Sequence, residues 1–199
     1  MANRIITISR EFGSAGRTIG KEVSAKLSIP CYDEALITKI AEKSGLTDEY
    51  IKEQGEYAPA KSWFGNAFAG RDLQGRSVQD YLWAAQRNVI LELVEKESCV
   101  IVGRCADYIL KDQYDCLTVF IHAALDKRAE RIVKVYGESM DSPEKRLMDK
   151  DKRRKLYYQF YTDTEWGLAR NYDITLDSGV FGIEKCVDII CDLYQNAVK

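Results

Sequence analysis

The sequence contains a single histidine, His122, in 199 residues, and its six cysteines include no C-x-x-C pair. A structural zinc site takes four closely spaced Cys or His ligands, so this chain has too few for one. Four of the cysteines lie in apolar segments, where a thiol packs as a small hydrophobe. His122 ends a predicted strand and is interpreted as a hydrogen-bonded polar residue rather than as a catalyst.

Proline and long apolar runs are also scarce. With 3 Pro, 13 Gly and no biased tract, the composition excludes collagen-like and disordered classes. The longest apolar stretch without a charge is Cys116–Leu125, and a membrane-spanning helix needs about 20 residues. No signal-peptide core or cleavage site is visible. We expect a soluble, cytoplasmic domain, without a membrane partner, as a monomer or a homodimer.

The charges are unevenly distributed, although the net charge is only −2. Lys127–Lys155 holds 11 basic and 6 acidic residues, so the remainder of the chain is acidic. A nucleic-acid duplex usually requires a broader basic face than one such cluster. The pattern favours a small anionic ligand and no nucleic-acid partner.

Short β-branched runs alternate with helical patterns, which is typical of βαβ units and predicts an α/β fold with a parallel sheet covered on both faces. The predicted strands are Arg4–Ser9, Pro30–Tyr32, Cys99–Val102, Leu117–Ile121 and Ile174–Leu176. The predicted helices follow Gly16 and Asp33 and then cover about 78–96, 125–136, 143–161 and 183–197, with an irregular segment at 47–77. Ligands of such sheets bind beyond the carboxyl ends of the strands.

A glycine-containing turn, Glu11–Thr18, joins the first strand to the first helix. A phosphate-binding P-loop has G-x-x-x-x-G-K-[ST] in this place, with backbone N–H groups, a cation and a hydroxyl facing the phosphates and Mg²⁺. Glu11 replaces the first glycine and Arg17 the lysine, and Glu11 adds negative charge unless a cation such as Arg10 pairs with it. A plain turn before a helix is the alternative. The candidate nucleotide-binding residues are Gly13, Ser14, Ala15, Gly16, Arg17 and Thr18, with Thr18 also a candidate metal ligand.

Other polar residues follow the predicted strands. Arg104 comes directly after the third strand, where its planar guanidinium suits a phosphate. Asp107 is a candidate either for Mg²⁺ or for capping a helix, and Asp33 either for capping or for contacting an acceptor. Arg71 and Arg76, in the irregular segment, are candidates for an acceptor phosphate or simply for solubility.

A basic helix is predicted over 143–161. At helical spacing Arg146, Lys150, Arg153 and Arg154 share roughly one face. The face is either solvated, with Asp149 and Asp151 balancing its charge, or a lid that closes over phosphates. The two other anion-binding features favour the lid. The tyrosines that follow are expected to pack rather than to stack on a base.

These residues together resemble the P-loop nucleoside monophosphate kinases, and more closely the cytidylate kinase-like family. The motifs that carry the resemblance, in chain order, are Ile8–Gly16, Tyr32–Glu34, Val100–Arg104 with Ala106–Asp107, Asp151–Arg153 with Tyr157–Tyr158, and Asn171–Asp173. The resemblance implies a three-layer P-loop fold in one kinase domain, 1–199, with an acceptor-binding segment at about 33–98 and a lid at about 140–160.

The resemblance also implies ATP and Mg²⁺ as cofactors and a small phosphate acceptor such as CMP or dCMP as partner. Gly16, Arg17 and Thr18 would hold ATP phosphates, and Arg104 the acceptor phosphate. The implied catalytic arginines are Arg17, Arg104, Arg146, Arg153 and Arg154. Two alternatives stay open: a kinase of an alcohol with Asp33 as base, and a nucleotide-binding regulator whose altered P-loop is inactive.

Overall fold

The computed structural model describes residues 3–33, 36, 39, 43 and 78–196. The strands are β1 (Arg4–Arg10), β2 (Cys31–Tyr32), β3 (Cys99–Val102), β4 (Asp115–His122) and β5 (Ile174–Asp177). The helices are α1 (Gly16–Leu27), α2 (Val78–Lys96), α3 (Ala106–Leu110), α4 (Leu125–Lys134), α5 (Pro143–Thr162) and α6 (Ser178–Asn196), with a 3-10 turn at Ala169–Asn171.

The strands form one parallel sheet in the order β2-β3-β1-β4-β5. Strand β1 lies in the centre, with Ile6 opposite both Val100 of β3 and Leu117 of β4. Its side chains Ile5, Ile6 and Ile8 are all fully buried, because helices cover both faces of the sheet. This three-layer α/β arrangement confirms the predicted fold class.

Each face of the sheet carries its own hydrophobic core. On one face Ile5 and Ile101 pack with residues of α2 and α3, among them Ile90 and Leu110. On the other face Ile6 and Ile8 pack with residues of α1 and α6. The two cores hold the central strands rigidly, so the residues that follow β1 and β3 leave the sheet from fixed positions.

Most predicted elements are confirmed, with shifted ends. The short helix α3 was not predicted as an element, because five residues are too few for a clear helical period. Helix α6 begins earlier than predicted, at Ser178, and is interrupted at Gly182, whose φ is +75°. The helix predicted after Asp33 and the irregular segment at 47–77 lie almost wholly outside the described residues.

The six cysteines are free, and five of them are buried. Burial raises the pKa of the Cys99 thiol to about 12, which keeps it protonated and unreactive at neutral pH. Within the described part of the chain, no cluster of His, Cys, Asp and Glu could hold a metal ion. The described helices also include none that is long and apolar enough to cross a membrane.

Candidate phosphate-binding cleft

A cleft of about 480 Å³ opens where β1 and β3 end and α1 begins. Five of its lining residues are cationic and three are acidic, so positive charge is in excess. The lining residues are Arg10, Glu11, Phe12, Gly13, Ala15, Gly16, Arg17, Asp33, Arg104, Tyr136, Glu138, Lys150 and Arg154. The cleft lies at the carboxyl edge of the sheet, where sequence analysis predicted the site.

The glycine turn forms one wall of this cleft. Gly13 (φ +80°) and Ala15 (φ +64°) both adopt left-handed conformations, which turn the chain back into α1. The Ser14 hydroxyl lies 2.9 Å from the carbonyl of Glu11 and 3.0 Å from that of Ile121, which ties the turn to β4. Helix α1 then starts at Gly16, and the N–H groups of a first helical turn have no partner inside their own helix. The wall can therefore receive an anion.

Glu11, for which the sequence suggested Arg10 as a partner, contacts α4 and the residue that follows β4. Its carboxylate lies 3.3 Å from Nε of Arg128 and accepts the Ala123 N–H at 3.2 Å. Burial raises the pKa of the Glu11 carboxyl, and the nearby Arg128 guanidinium opposes that effect. The extra negative charge of the turn is thus compensated from α4.

Arg128 also ties the turn to α5. Its Nη1 donates to Asp151 at 2.5 Å and to the Phe12 carbonyl at 3.2 Å. The other oxygen of Asp151 accepts the Phe12 N–H at 2.7 Å. Glu11, Arg128 and Asp151 therefore form a charge cluster centred on the buried Arg128, and the Asp151 carboxylate already accepts one N–H group of the turn.

The Phe12 side chain carries a second set of contacts between the turn and α5. Lys150 lies 3.8 Å above the centre of its ring, and the Arg154 guanidinium lies 5.4 Å from it. Tyr136 packs against the ring from the segment that follows α4, with 6.0 Å between ring centres. Cation–π contacts of this kind hold two basic side chains of α5 at the edge of the cleft.

Arg17 and Asp33 both line the cleft, and their side chains form an ion pair. The Asp33 side chain is only 11% exposed, whereas that of Arg17 is 53% exposed. The cation predicted to hold ATP phosphates is thus paired with the carboxylate predicted to contact an acceptor.

A smaller recess of about 30 Å³ adjoins the cleft beneath α5. Arg10, Arg104 and Arg154 line both cavities. Arg104 is held in a left-handed conformation (φ +62°), and its carbonyl accepts a hydrogen bond from Gln86 at 2.6 Å. Arg154 donates to the carbonyl of Arg10 at 3.3 Å. Three arginines from β1, the end of β3 and α5 thus meet where the two cavities join.

The predicted basic face of α5 divides in the structure. Lys150 and Arg154 reach the cleft, whereas Arg146 lies 3.0 Å from Glu138 and also bonds to carbonyls of the 139–141 segment. Arg153 is exposed and does not line the cleft. Arg71 and Arg76 lie outside the described residues.

The two predicted metal ligands lie away from the cleft lining. The Thr18 hydroxyl accepts a hydrogen bond from Arg131 at 3.3 Å, and a cation there would meet a guanidinium. Asp107 is buried, and Tyr158 donates to it at 2.7 Å. Burial raises the pKa of Asp107, while the Tyr158 hydroxyl and N–H groups of the first turn of α3 oppose that shift. Asp107 lies in the first turn of α3, whose N-cap residue is Cys105, and among the described residues no side chain caps that helix.

The tyrosines of α5 pack, as predicted. Trp83 stacks on Tyr161 with 4.4 Å between ring centres and 9° between planes, and Tyr157 and Tyr158 are buried. His122, at the end of β4, lies outside the cleft with Nδ1 3.9 Å from Asp177.

Sequence analysis missed several residues that shape the cleft. Arg128 and Glu138 were not singled out. Arg10 and Asp151 belong to motifs of the family resemblance, but the only roles suggested were partner of Glu11 for Arg10 and balancing charge for Asp151. The contacts that attach α5 to the glycine turn join residues far apart in sequence, since Phe12 and Asp151 are 139 positions apart. The one available signal was the basic excess of Lys127–Lys155, which includes Arg128.

Solved structures with a similar fold include an uncharacterized protein from Eubacterium ventriosum ATCC 27560. It is 28% identical with a TM-score of 0.72, covering 98% of this chain and 99% of that chain. Shikimate kinases from Acinetobacter baumannii (16% identity, TM-score 0.56, 100% and 97% covered) and Aquifex aeolicus (23%, 0.51, 97% and 98%) share the fold. No curated protein matches the chain. The sequence model of the cytidylate kinase-like family matches residues 5–180.

Proposed function

The chain belongs to the cytidylate kinase-like family, and we propose that it transfers the γ-phosphoryl group of ATP to a small phosphate-bearing acceptor. A nucleoside monophosphate, CMP or dCMP, is the proposed acceptor. The observation that carries the proposal is the meeting of Arg10, Arg104 and Arg154 beside the N-terminus of α1.

The chemistry of such a transfer suits this cleft. A phosphate monoester has a second pKa near 6, so it is a nucleophile at pH 7 without a general base. The barrier comes from bringing two polyanions together in line. Two unit charges about 4 Å apart repel by about 4 kcal/mol at an effective dielectric constant of 20. The reaction therefore needs several cations that converge on the phosphates and offset this repulsion.

Each wall of the cleft has a proposed role. The glycine turn and the first turn of α1 would hold the ATP phosphates, with Arg17 as the cation that the sequence pattern assigns to them. Arg104 would hold the acceptor phosphate, and Arg154 would contribute charge from the lid side. The catalytic roles of Arg146 and Arg153 stay predictions, and neither the contacts of Arg146 nor the exposure of Arg153 supports them. The roles of Arg71, Arg76 and Asp33 as acceptor ligands also stay predictions.

We propose that ATP binds together with Mg²⁺, but the two candidate metal ligands among the described residues are not placed to hold the ion. Thr18 faces Arg131, and Asp107 is buried against Tyr158. We therefore derive no step from a magnesium ion bound by these two side chains.

The proposal is tested by measuring ADP release from Mg·ATP with a panel of acceptors. The panel contains CMP, dCMP, UMP, AMP, GMP, shikimate and dephospho-coenzyme A. The expected result is the fastest release with CMP or dCMP. ATP binding with no release on any acceptor would contradict the proposal and favour a regulator whose turn is occupied by Asp151.

Arg104→Ala provides a sharper test of the acceptor role. Removing one guanidinium from a phosphate should weaken acceptor binding about tenfold or more, because charge-assisted hydrogen bonds are the strong ones. Affinity for ATP should change much less. The check is the KM for the acceptor beside the dissociation constant of ATP, and equal losses in both would contradict the assignment.

A kinase of an alcohol is the second candidate, and the burial of Asp33 in the cleft favours it. An alcohol needs a base, and Asp33 would have to leave its pair with Arg17 to serve as one. Loss of turnover in Asp33→Asn with substrate binding retained would support this candidate. An unchanged rate with a phosphate acceptor would exclude it.

A further inference from the structure

The side chain of Arg10 occupies space that two glycines leave open. A Cβ atom on Gly16 would lie 2.8 Å from Cγ of Arg10, and one on Gly103 would lie 2.9 Å from its Cζ. Carbon atoms pack at about 3.5–4.0 Å, so neither position accepts a side chain while Arg10 holds this place. Arg10 therefore runs from the end of β1 across the start of α1 to the end of β3.

This path places Arg10 beside the glycine that directly precedes the cation of a phosphate-binding loop. In the pattern G-x-x-x-x-G-K-[ST], the lysine after the last glycine reaches the terminal phosphates, and Gly16 and Arg17 take those two places here. Here the helix starts with Gly16, which has no side chain, and the Arg10 side chain lies against it. A cation arriving from the strand fills the volume that a side chain at the helix start would take.

Arg17 has different surroundings. Its side chain is 53% exposed, and it lines only the larger cavity. Arg10 lines both cavities, together with Arg104 and Arg154. Of the two arginines, Arg10 is therefore the one that lies between the glycine turn and the proposed acceptor site.

We infer that Arg10, rather than Arg17, is the principal polyphosphate-binding cation of this cleft, replacing the lysine of a P-loop from the preceding strand. In this position its guanidinium faces the terminal phosphate of a nucleotide on one side and the acceptor phosphate on the other. The inference deepens the proposed function and rests on it for the identity of the two phosphates.

The test uses inorganic tripolyphosphate as the probe, titrated calorimetrically into the full-length protein. Arg10→Ala should weaken binding about tenfold to a hundredfold, the range of one or two charge-assisted hydrogen bonds. Arg17→Ala should weaken it less, and Arg10→Lys should retain part of the affinity. Arg170→Ala, which removes one exposed positive charge, is the matched control and should bind like the wild type. Wild-type affinity in Arg10→Ala, or a larger loss in Arg17→Ala, would overturn the inference.

Moving the cation from the strand to the helix tests the same inference through a recovery of tripolyphosphate affinity as well as through its loss. Gly16→Ala should displace the Arg10 side chain and weaken tripolyphosphate binding. In the double variant Arg10→Gly with Gly16→Lys, a cation returns to the volume of the Arg10 side chain, but from the helix instead of the strand. Its affinity should exceed that of Arg10→Gly about tenfold. No recovery, in a double variant with the unfolding transition of the wild type, would overturn the inference.

Because the probe has no nucleoside and needs no acceptor, this result is separable from the proposed function. A wild type that binds tripolyphosphate through Arg10 but transfers no phosphoryl group would contradict the proposed function and leave the inference standing. A wild type that does not bind tripolyphosphate would overturn the inference.

Discussion

Arg128 illustrates how single residues hold the glycine turn in place. Its side chain is 10% exposed and lies between the carboxylates of Glu11 and Asp151. A buried ion pair need not stabilise a protein more than an apolar cluster would, but removing one partner leaves an uncompensated buried charge. Here the loss of the guanidinium would leave two carboxylates together at the mouth of the cleft.

We therefore expect Arg128→Ala to lower the free energy of unfolding by about 3–5 kcal/mol, the usual result of breaking a buried pair. Urea unfolding followed by circular dichroism measures the change. Lys127→Ala, at the exposed neighbouring position, is the matched control and should leave the stability nearly unchanged. Equal stabilities for the two variants would show that the cluster does not hold the turn.

Asp107 gives a prediction with a defined pH direction. Burial raises the pKa of its carboxyl above the ordinary 3.8, so the folded chain binds the proton more tightly than the unfolded chain does. The contribution to stability is then complete below the unfolded-state pKa and is lost as the pH rises through the folded-state pKa.

Asp107→Asn removes this titration while keeping an oxygen that can accept the Tyr158 hydroxyl. We expect the stability of the variant, relative to the wild type, to increase between pH 4 and pH 8. The measurement is the free energy of unfolding of both proteins across that range. A constant difference would mean that the Asp107 carboxylate is not penalised by burial.

At the residue scale, the sequence predicted those site residues that stand next to a local signal. Arg104 follows a strand and Gly13 lies in a glycine turn, and both line the cleft. The course of the Arg10 side chain could not be predicted, because it depends on two glycines that leave room for it, Gly16 close by in sequence and Gly103 far away. Such close approaches exist only in the folded chain.

At the scale of elements, α5 is attached to the rest of the molecule along its length. Near its start Leu147 is fully buried with Ala129 and Ile132 of α4. Near its end Tyr157 and Tyr158 pack with Cys105 and Trp83. Between these two contacts Asp151 binds the glycine turn. A predicted lid that closes over phosphates would have to release some of these contacts to open.

The packing of α5 predicts that substitutions of two neighbouring residues change the stability of the protein by very different amounts. Leu147→Ala should destabilise the protein by about 2–5 kcal/mol, as expected for a large-to-small change in a core. Met148→Ala changes a side chain that is 55% exposed and should have little effect. Thermal unfolding of the two variants is the check. A similar, small change for both would mean that α5 is not docked through Leu147.

Helices and strands could be predicted from the sequence where they are long enough to repeat their hydrophobic pattern several times. Helix α2 spans Val78–Lys96, as the sequence indicated, because nineteen residues repeat the helical pattern several times. Strand β2 has two residues, and its predicted start at Pro30 shifts to Cys31. Proline has no N–H to donate to a sheet, which limits it to strand ends.

At the scale of the whole molecule, the strand order creates the cleft. Strand β1 lies between β3 and β4, so the glycine turn after β1 is adjacent to Gly103 and Arg104 after β3. The sequence predicted a parallel sheet, because helices separate the strands, but it did not determine which strands are neighbours. Only the order brings Arg10 and Arg104, ninety-four residues apart in sequence, into one wall.

The central claim is that this cleft moves a phosphoryl group between two polyanions. The most direct measurement follows the label of [γ-³²P]ATP in the presence of Mg²⁺ and CMP. We predict that the wild-type protein transfers the label from ATP to CMP, which gives labelled CDP and unlabelled ADP, and that Arg104→Ala does so only at a raised CMP concentration. Label found in inorganic phosphate alone, or remaining in ATP, would contradict the claim.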